Sequence, residues 1–164
     1  DRLRLGGASN WVSRETADSL GANVAPTNTI LFPKVGAALL TNRRSILSRE
    51  AVFDNNVMGI FALGGNARFW LHVLRCVDMS ELANPGPVPS VSRSAVAEIR
   101  LPSPPNDEQE KIAKVLDERA ESWTLHKAAL TRSIDLLTEY KQSLITAAVT
   151  GQLDVTTAST RIPE

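Results

Sequence analysis

Asn42-Arg43-Arg44-Ser45 places an amide, two guanidinium groups and a hydroxyl side by side with no apolar residue between them. Such a segment reads as an exposed polar loop, and its groups suit the edges of nucleobases. Arginine can bond guanine through two parallel donors, and asparagine can do the same with adenine. Lys34 and Arg49, on either side of the loop in sequence, suit phosphate oxygens, which position a protein on a duplex without reading it. Arg93 lies between Ser92 and Ser94, with Ser90 just upstream, near the expected start of a short helix where backbone donors favour phosphate. Trp11, Ser13 and Arg14 form a further polar and aromatic candidate. Each set has a plainer alternative: an Arg-Arg pair also makes a solvated surface, and serines around Arg93 also cap a helix.

Other chemistry finds less support. An adenine methyltransferase needs an Asn-Pro-Pro-aromatic motif to hold a flipped base, and Asn84-Pro85-Gly86-Pro87 lacks both the adjacent proline and the aromatic. There is no glycine-rich cofactor loop, no phosphate-binding loop for ATP and no serine elbow. Asp54-Asn55-Asn56 is explained by turn chemistry, in which short polar side chains bond the local backbone. His72 and His126 have no companion nearby in sequence that would make either one catalytic or a metal ligand. Cys76, the single cysteine, excludes an internal disulfide or a multi-cysteine zinc site; it reads as a small packed hydrophobe and fits a reducing, cytoplasmic setting. A non-catalytic chain is therefore expected, with no cofactor and no metal. Apolar runs such as residues 57–63 are far shorter than the roughly 18–20 residues of a membrane span.

The elements that must position these groups fall into two unlike parts. The 164 residues are 43% hydrophobic and 22% charged, enough for one domain with a real core. Eleven basic and eight acidic residues occupy 1–105, against seven and ten over 106–164, so a net charge of zero hides halves of +3 and −3. Eight of nine prolines and eight of nine glycines lie at or before Pro105. The first part predicts a small α+β domain. Residues 29–32 and 37–40 read as a strand interrupted by a turn or bulge at residues 33–36. Residues 51–53 and 57–61 read as two short strands around a turn, residues 66–76 as a helix capped by Asn66, residues 92–99 as another short helix, and residues 99–102 as an edge strand.

In the second part Asn106 and Gln109 have capping-box spacing, and Asp107, Glu108 and Glu110 suit a helix N-terminus. Neither Gly nor Pro follows until Gly151, which permits about 43 helical residues, about 65 Å at 1.5 Å per residue. Leu116, Trp123, Leu130, Leu137 and Leu144 recur every seven residues, as one seam position of a coiled coil does. The other seam position is weaker, with Ala120, Lys127, Ile134, Lys141 and Ala148. Small residues and two lysines there suggest a close, imperfect helix pair or a bundle in which the lysines snorkel.

Several stretches together resemble the conserved helical region of type I restriction–modification DNA specificity subunits. They are Leu101-Pro102-Ser103-Pro104-Pro105, then Glu108-Gln109, Ile112 and Leu116, then Leu136-Leu137-Thr138-Glu139-Tyr140-Lys141-Gln142-Ser143-Leu144-Ile145, and finally Ala147-Ala148-Val149-Thr150-Gly151-Gln152-Leu153-Asp154-Val155. Leu31-Phe32-Pro33-Lys34-Val35-Gly36-Ala37 and Phe53-Asp54-Asn55-Asn56 resemble the second part of that family's target recognition domain. The resemblance covers about residues 25–155 and implies three parts: a partial target recognition domain over 1–105, a long spacer helix over 106–150 for helix pairing and methyltransferase docking, and a tail over 151–164. It implies sequence-specific binding of double-stranded DNA at a bipartite site, with catalysis left to partner methyltransferase and restriction subunits. Relatives usually carry two recognition domains whose helices pair antiparallel. With one repeat and a recognition domain whose beginning looks missing, two copies of this chain could pair through Leu116, Trp123, Leu130, Leu137 and Leu144 as a homodimer. The alternatives are a coiled-coil adaptor that binds no DNA, and a truncated scaffold that holds the methyltransferase but no longer reads a sequence.

Overall fold

In the computed structural model residues 4–5, 7–84 and 86–152 are described. Pro85 and the expected tail and motif residues from Leu153 onward lie outside them. Element order is β1 (Arg4–Leu5), α1 (Arg14–Ser19), β2 (Ile30–Pro33), α2 (Ala37–Leu40), β3 (Ser45–Leu47), β4 (Val57–Ile60), α3 (Ala67–Arg75), α4 (Arg93–Ala97) and α5 (Asn106–Val149). This is the expected α+β class with a long C-terminal helix. The chain divides into two units after Leu116.

β2 is the centre of the first unit because its residues are apolar on both faces: Ile30, Leu31 and Phe32 are all buried. It pairs antiparallel with β3, Ile30 opposite Ile46, and antiparallel with β4, Ile30 opposite Ile60 and Pro33 opposite Val57. Pro33, which has no N–H to donate, ends the strand. The two-residue β1 adds a parallel edge on β3, giving the order β1-β3-β2-β4. One face packs Ile30, Phe32 and Ile46 against Leu71 and Leu74 of α3, with Leu39, Met79 and Val91 completing the cluster. The other face carries a smaller cluster of Ala25, Leu31 and Leu47, with Phe53 and Val57 packed on it. Asn66 caps α3 as expected, its Oδ1 accepting from the N–H groups of Arg68 (2.9 Å) and Phe69 (3.1 Å).

Several local expectations are corrected. Residues 37–40 are one turn of helix rather than strand. Gly36 at φ 73° reverses the chain after β2, the two alanines favour helix, and the turn serves to bury Leu39. Residues 45–47 are a strand, though the sequence offers only two apolar residues there, Ile46 and Leu47. Residues 51–53 make a single bridge, Ala51 to Ala25, instead of a strand. Residues 99–102 form no strand, because Pro102, Pro104 and Pro105 withhold ladder donors; Ile99 and Leu101 pack on the core from a loop.

The first turns of α5 belong to the first unit, in which Gln109 and Ala113 are buried. The capping box does not form. Gln109 instead reaches across the chain: its Oε1 accepts from the Asn66 N–H (3.0 Å) and its Nε2 donates to the Pro104 carbonyl (2.9 Å). That bond is possible because Gly65, at φ 81°, has no side chain; a Cβ there would lie 2.5 Å from Gln109 Oε1. Beyond Leu116 the helix is unbroken through His126, and every residue of 121–146 is exposed. The seam residues Trp123, Leu130, Leu137 and Leu144 are 39–72% exposed. No helix among the described residues is long and apolar enough to cross a membrane.

Candidate nucleic-acid interface

Strand direction sorts the candidate cations between two ends of the sheet. At one end β2 exits through Lys34 while β3 and β4 begin. Lys34 is fixed there by its backbone, its N–H donating to the Asn56 carbonyl (2.8 Å) and its carbonyl accepting from the Val91 N–H (2.9 Å). These two bonds draw the turn at residues 54–56 and the loop at residues 88–92 to the same sheet end. In that turn the Asn56 N–H donates to Asp54 Oδ1 (2.9 Å), the local bonding its composition predicts. The loop leads into α4, whose first residue is the exposed Arg93. Ser92 caps α4, accepting from the Ala95 N–H (3.1 Å), so that serine has the capping role of the plainer alternative. Arg43, also exposed, enters β3 from this end. Lys34 and Arg43, in loops, and Arg93, at the start of α4, therefore come to this end of the sheet with Asn56 and Ser90.

Arg44 does not belong to an exposed loop. It is 4% exposed, with its guanidinium 5.1 Å from the centre of the Phe32 ring. Its Nη1 donates to the Arg43 carbonyl (2.9 Å), and its Nη2 donates to Asn42 Oδ1 (2.8 Å) and the Val77 carbonyl (3.3 Å). Burial pulls its pKa down from 12.5 to about 10, an effect the Asp78 carboxylate opposes; the group stays cationic at neutral pH. Asn42, at φ 50°, is likewise occupied: Oδ1 also accepts from the Met79 N–H (3.2 Å), and Nδ2 donates to the Val77 carbonyl (3.2 Å). Together Asn42 and Arg44 pin the segment after α3 to the start of β3. Base reading needs free donors at a surface, which these two side chains do not offer.

Arg49 lies beyond the far end of β3, separated from Arg43 by the length of that strand. Its guanidinium stacks on the Trp11 ring, 4.9 Å from the centroid. A groove of about 360 Å³ opens there, floored by Leu31, Leu47 and Phe53 and flanked by Trp11. Arg14, on its rim, is paired with Glu50 (2.8 Å) and Asp18 (3.4 Å). Trp11 and Arg14 carry a signal in the sequence; the groove does not, because its floor comes from three separate segments. Cys76 is exposed instead of packed, its Sγ 3.5 Å from the His72 carbonyl. Among the described residues no group of three or more His, Cys, Asp or Glu side chains is arranged to hold a metal.

The five seam residues, by contrast, lie along one helix, with Leu116 half-buried at its head-bound end and the other four open to solvent. Compared with models of known protein families, the chain matches none.

Proposed function

We propose that this chain is a non-catalytic, cytoplasmic DNA-reading module, the C-terminal half of a type I restriction–modification specificity subunit. It binds double-stranded DNA at one half of a bipartite site and directs a partner adenine methyltransferase and restriction subunit to it. The observation that carries this reading is the set of linked sequence motifs from residue 101 to 155, at the spacing that resembles that family. Two features support it. The motif residues 136–145 fall on an unbroken helix with its apolar seam uncovered, as a spacer that must pair and dock requires. Lys34, Arg43 and Arg93, two in loops and one at the start of α4, lie at one sheet end, where a duplex could meet cations and amides together. Arg44 and Asn42 leave the reading set, and Arg49 is the outlying member.

The test is co-expression with the methyltransferase encoded beside it, followed by mapping methylated adenines. Methylation at a discrete bipartite motif is the expected result, lost in a Lys34→Ala, Arg43→Ala, Arg93→Ala triple variant that still folds. The loss of two reading residues to the core favours one competing reading, a scaffold that holds the methyltransferase without reading sequence. A stable complex that methylates no motif would establish that scaffold and remove the reader. An adaptor with no affinity for DNA is distinguished by retardation of a duplex at low salt: a reader's binding falls steeply as salt rises because bound counterions are released.

A further inference from the structure

The groove beside Trp11 lies beyond the far end of β3 from Lys34, Arg43 and Arg93, and its two walls are held differently. Residues 49–53 are fixed through Ala51, whose N–H donates to the Ala25 carbonyl (3.1 Å) and whose carbonyl accepts from the Ala25 N–H (2.9 Å). Residues 7–12 are exposed, and no hydrogen bond joins them to any described residue. Two side-chain ties cross between the walls. Arg49 stacks on Trp11, which is 66% exposed, and Arg14, the first residue of α1, reaches Glu50. Exposed ties of either kind contribute little, so residues 7–12 form a strap that lifts at low cost.

Floor and rim require different things of an occupant. Leu31 and Leu47 are buried and, with Phe53, present only apolar side chains, so an occupant is held there by burying an apolar body. Leu5, Val12 and Val52 are exposed around the same mouth, a concentration of apolar surface of the kind that marks a binding site. The rim cations are unequal. Arg14 is matched by both Glu50 and Asp18, whereas Arg49 has no ion pair or hydrogen bond among the described residues and meets only the Trp11 ring. A guanidinium can stack by its face and still donate from its edge, which leaves the donors of Arg49 open to an anion.

We propose that this groove binds a small organic anion, its apolar body laid on Leu31, Leu47 and Phe53 and its single anionic head held by the edge of the Arg49 guanidinium. The volume of about 360 Å³ suits a body of two or three rings. One head is favoured over several, because the Glu50 carboxylate shares the rim and would repel a second. Arg49 keeps its face on Trp11 while it holds the head, so the occupant closes the strap over itself. The inference does not require that the first unit read DNA.

The test uses the full chain and two dyes that share their rings: 8-anilinonaphthalene-1-sulfonate, and N-phenyl-1-naphthylamine, which lacks the sulfonate. Methyl NMR should show the sulfonate dye shifting Leu31, Leu47 and Val52, with a Kd of about tens of micromolar, as fits a ligand of about 21 non-hydrogen atoms. Arg49→Met keeps a stem beside Trp11 and removes the charge. It should weaken the sulfonate dye about tenfold and change the neutral dye by less than about twofold. Equal effects on the two dyes, or none on either, overturn the anion site. Shifts confined to Leu130, Leu137 and Leu144 would put the dye on the open seam of α5 and overturn the groove. Displacement of the dye from the groove by duplex DNA at low salt would assign the groove to nucleic acid and overturn the small ligand. A chain that binds the dye as expected but retards no duplex keeps this site and loses only the DNA-reading function.

Discussion

The first unit and the free stretch of α5 are held by different physics. α3 is nine residues long, too short to persist alone, and exists because Leu71 and Leu74 are buried against the sheet. The stretch 121–146 buries no side chain, yet remains helical. It can do so because it contains neither Gly nor Pro and extends far beyond the length at which an isolated helix becomes marginal. In the first unit, apolar side chains are used up in specifying a fold. In α5 they remain available for association, which is where a contiguous apolar stripe on a charged helix is normally spent.

The largest expected effects come from trying to erase this contrast. Leu71→Ala, at a fully buried site, should cost about 3–5 kcal/mol of head stability through lost transfer energy and the cavity left behind. Leu137→Ala, at a 66% exposed site, should change head stability by less than about 0.5 kcal/mol. Urea unfolding followed by near-ultraviolet circular dichroism reads both. Comparable losses at the two sites would mean that the helix seam is covered by the head in solution.

Arg44 sharpens the comparison at a polar position. Arg44→Ala should cost about 2–4 kcal/mol, since it opens a cavity beside Phe32 and removes donors from a buried cluster. Arg44→Met should cost about 1–2 kcal/mol. Its stem still covers Phe32, and two of the three acceptors retain other donors: Asn42 Oδ1 keeps the Met79 N–H, and the Val77 carbonyl keeps Asn42 Nδ2, while the third, the Arg43 carbonyl, belongs to an exposed residue. Arg43→Ala, at an exposed neighbour, should stay within about 0.5 kcal/mol. Thermal melts of the three variants give the order, and a large loss at Arg43 would place the structural cation at the wrong residue.

The same adjacent pair shows what could be read from the chain alone. Arg43 and Arg44 are chemically identical in sequence, and only the alternation of a three-residue strand decides which one points inward. That strand was invisible because Ser45-Ile46-Leu47 is shorter than any periodicity can register, and it exists through pairing with β2. The long helix was legible almost to the residue, because a 44-residue element repeats its signal many times and its ends are marked by Pro105 and Gly151. α3 was legible through Asn66, whose cap is a local interaction. Ala37–Leu40 was misread because four apolar residues suit strand and helix equally, and the backbone reversal at Gly36 that decides between them leaves little local trace. Gln109 stands out in the sequence for a capping box, which is local; its side chain instead binds the Asn66 N–H, 43 residues away, and the Pro104 carbonyl.

That contact ties the first turns of α5 to the physics of the head, and breaking it should cost an intermediate amount. Gly65→Ala must accommodate both a left-handed backbone and a Cβ 2.5 Å from Gln109 Oε1. About 1–3 kcal/mol should be lost, from strain and from the Asn66 N–H left without its acceptor. Gln109→Ala should lose a similar amount, and the double variant little more than either single one, because both act on one contact. Additive losses in a denaturation cycle would show that the two residues act separately.

The smallest effect concerns the far side of the Arg44 cluster. Asp78 titrates below its ordinary value of 3.8, chiefly because its carboxylate accepts from the Ser80 hydroxyl and the Ser80 N–H, and to a lesser extent because Arg44 is near. Its folded-state pKa is depressed, so its contribution to stability is present above pH 3.8 and is lost as pH falls through the lower, folded value. Ser80→Ala removes the hydroxyl, the largest cause, and should move the Asp78 titration upward in side-chain NMR. Arg44→Met should move it in the same direction by less. The reverse order would mean that the buried cation holds Asp78 more strongly than its own turn does. Asp78 would then belong to the core network around Asn42 and Arg44, rather than to a local loop at its edge.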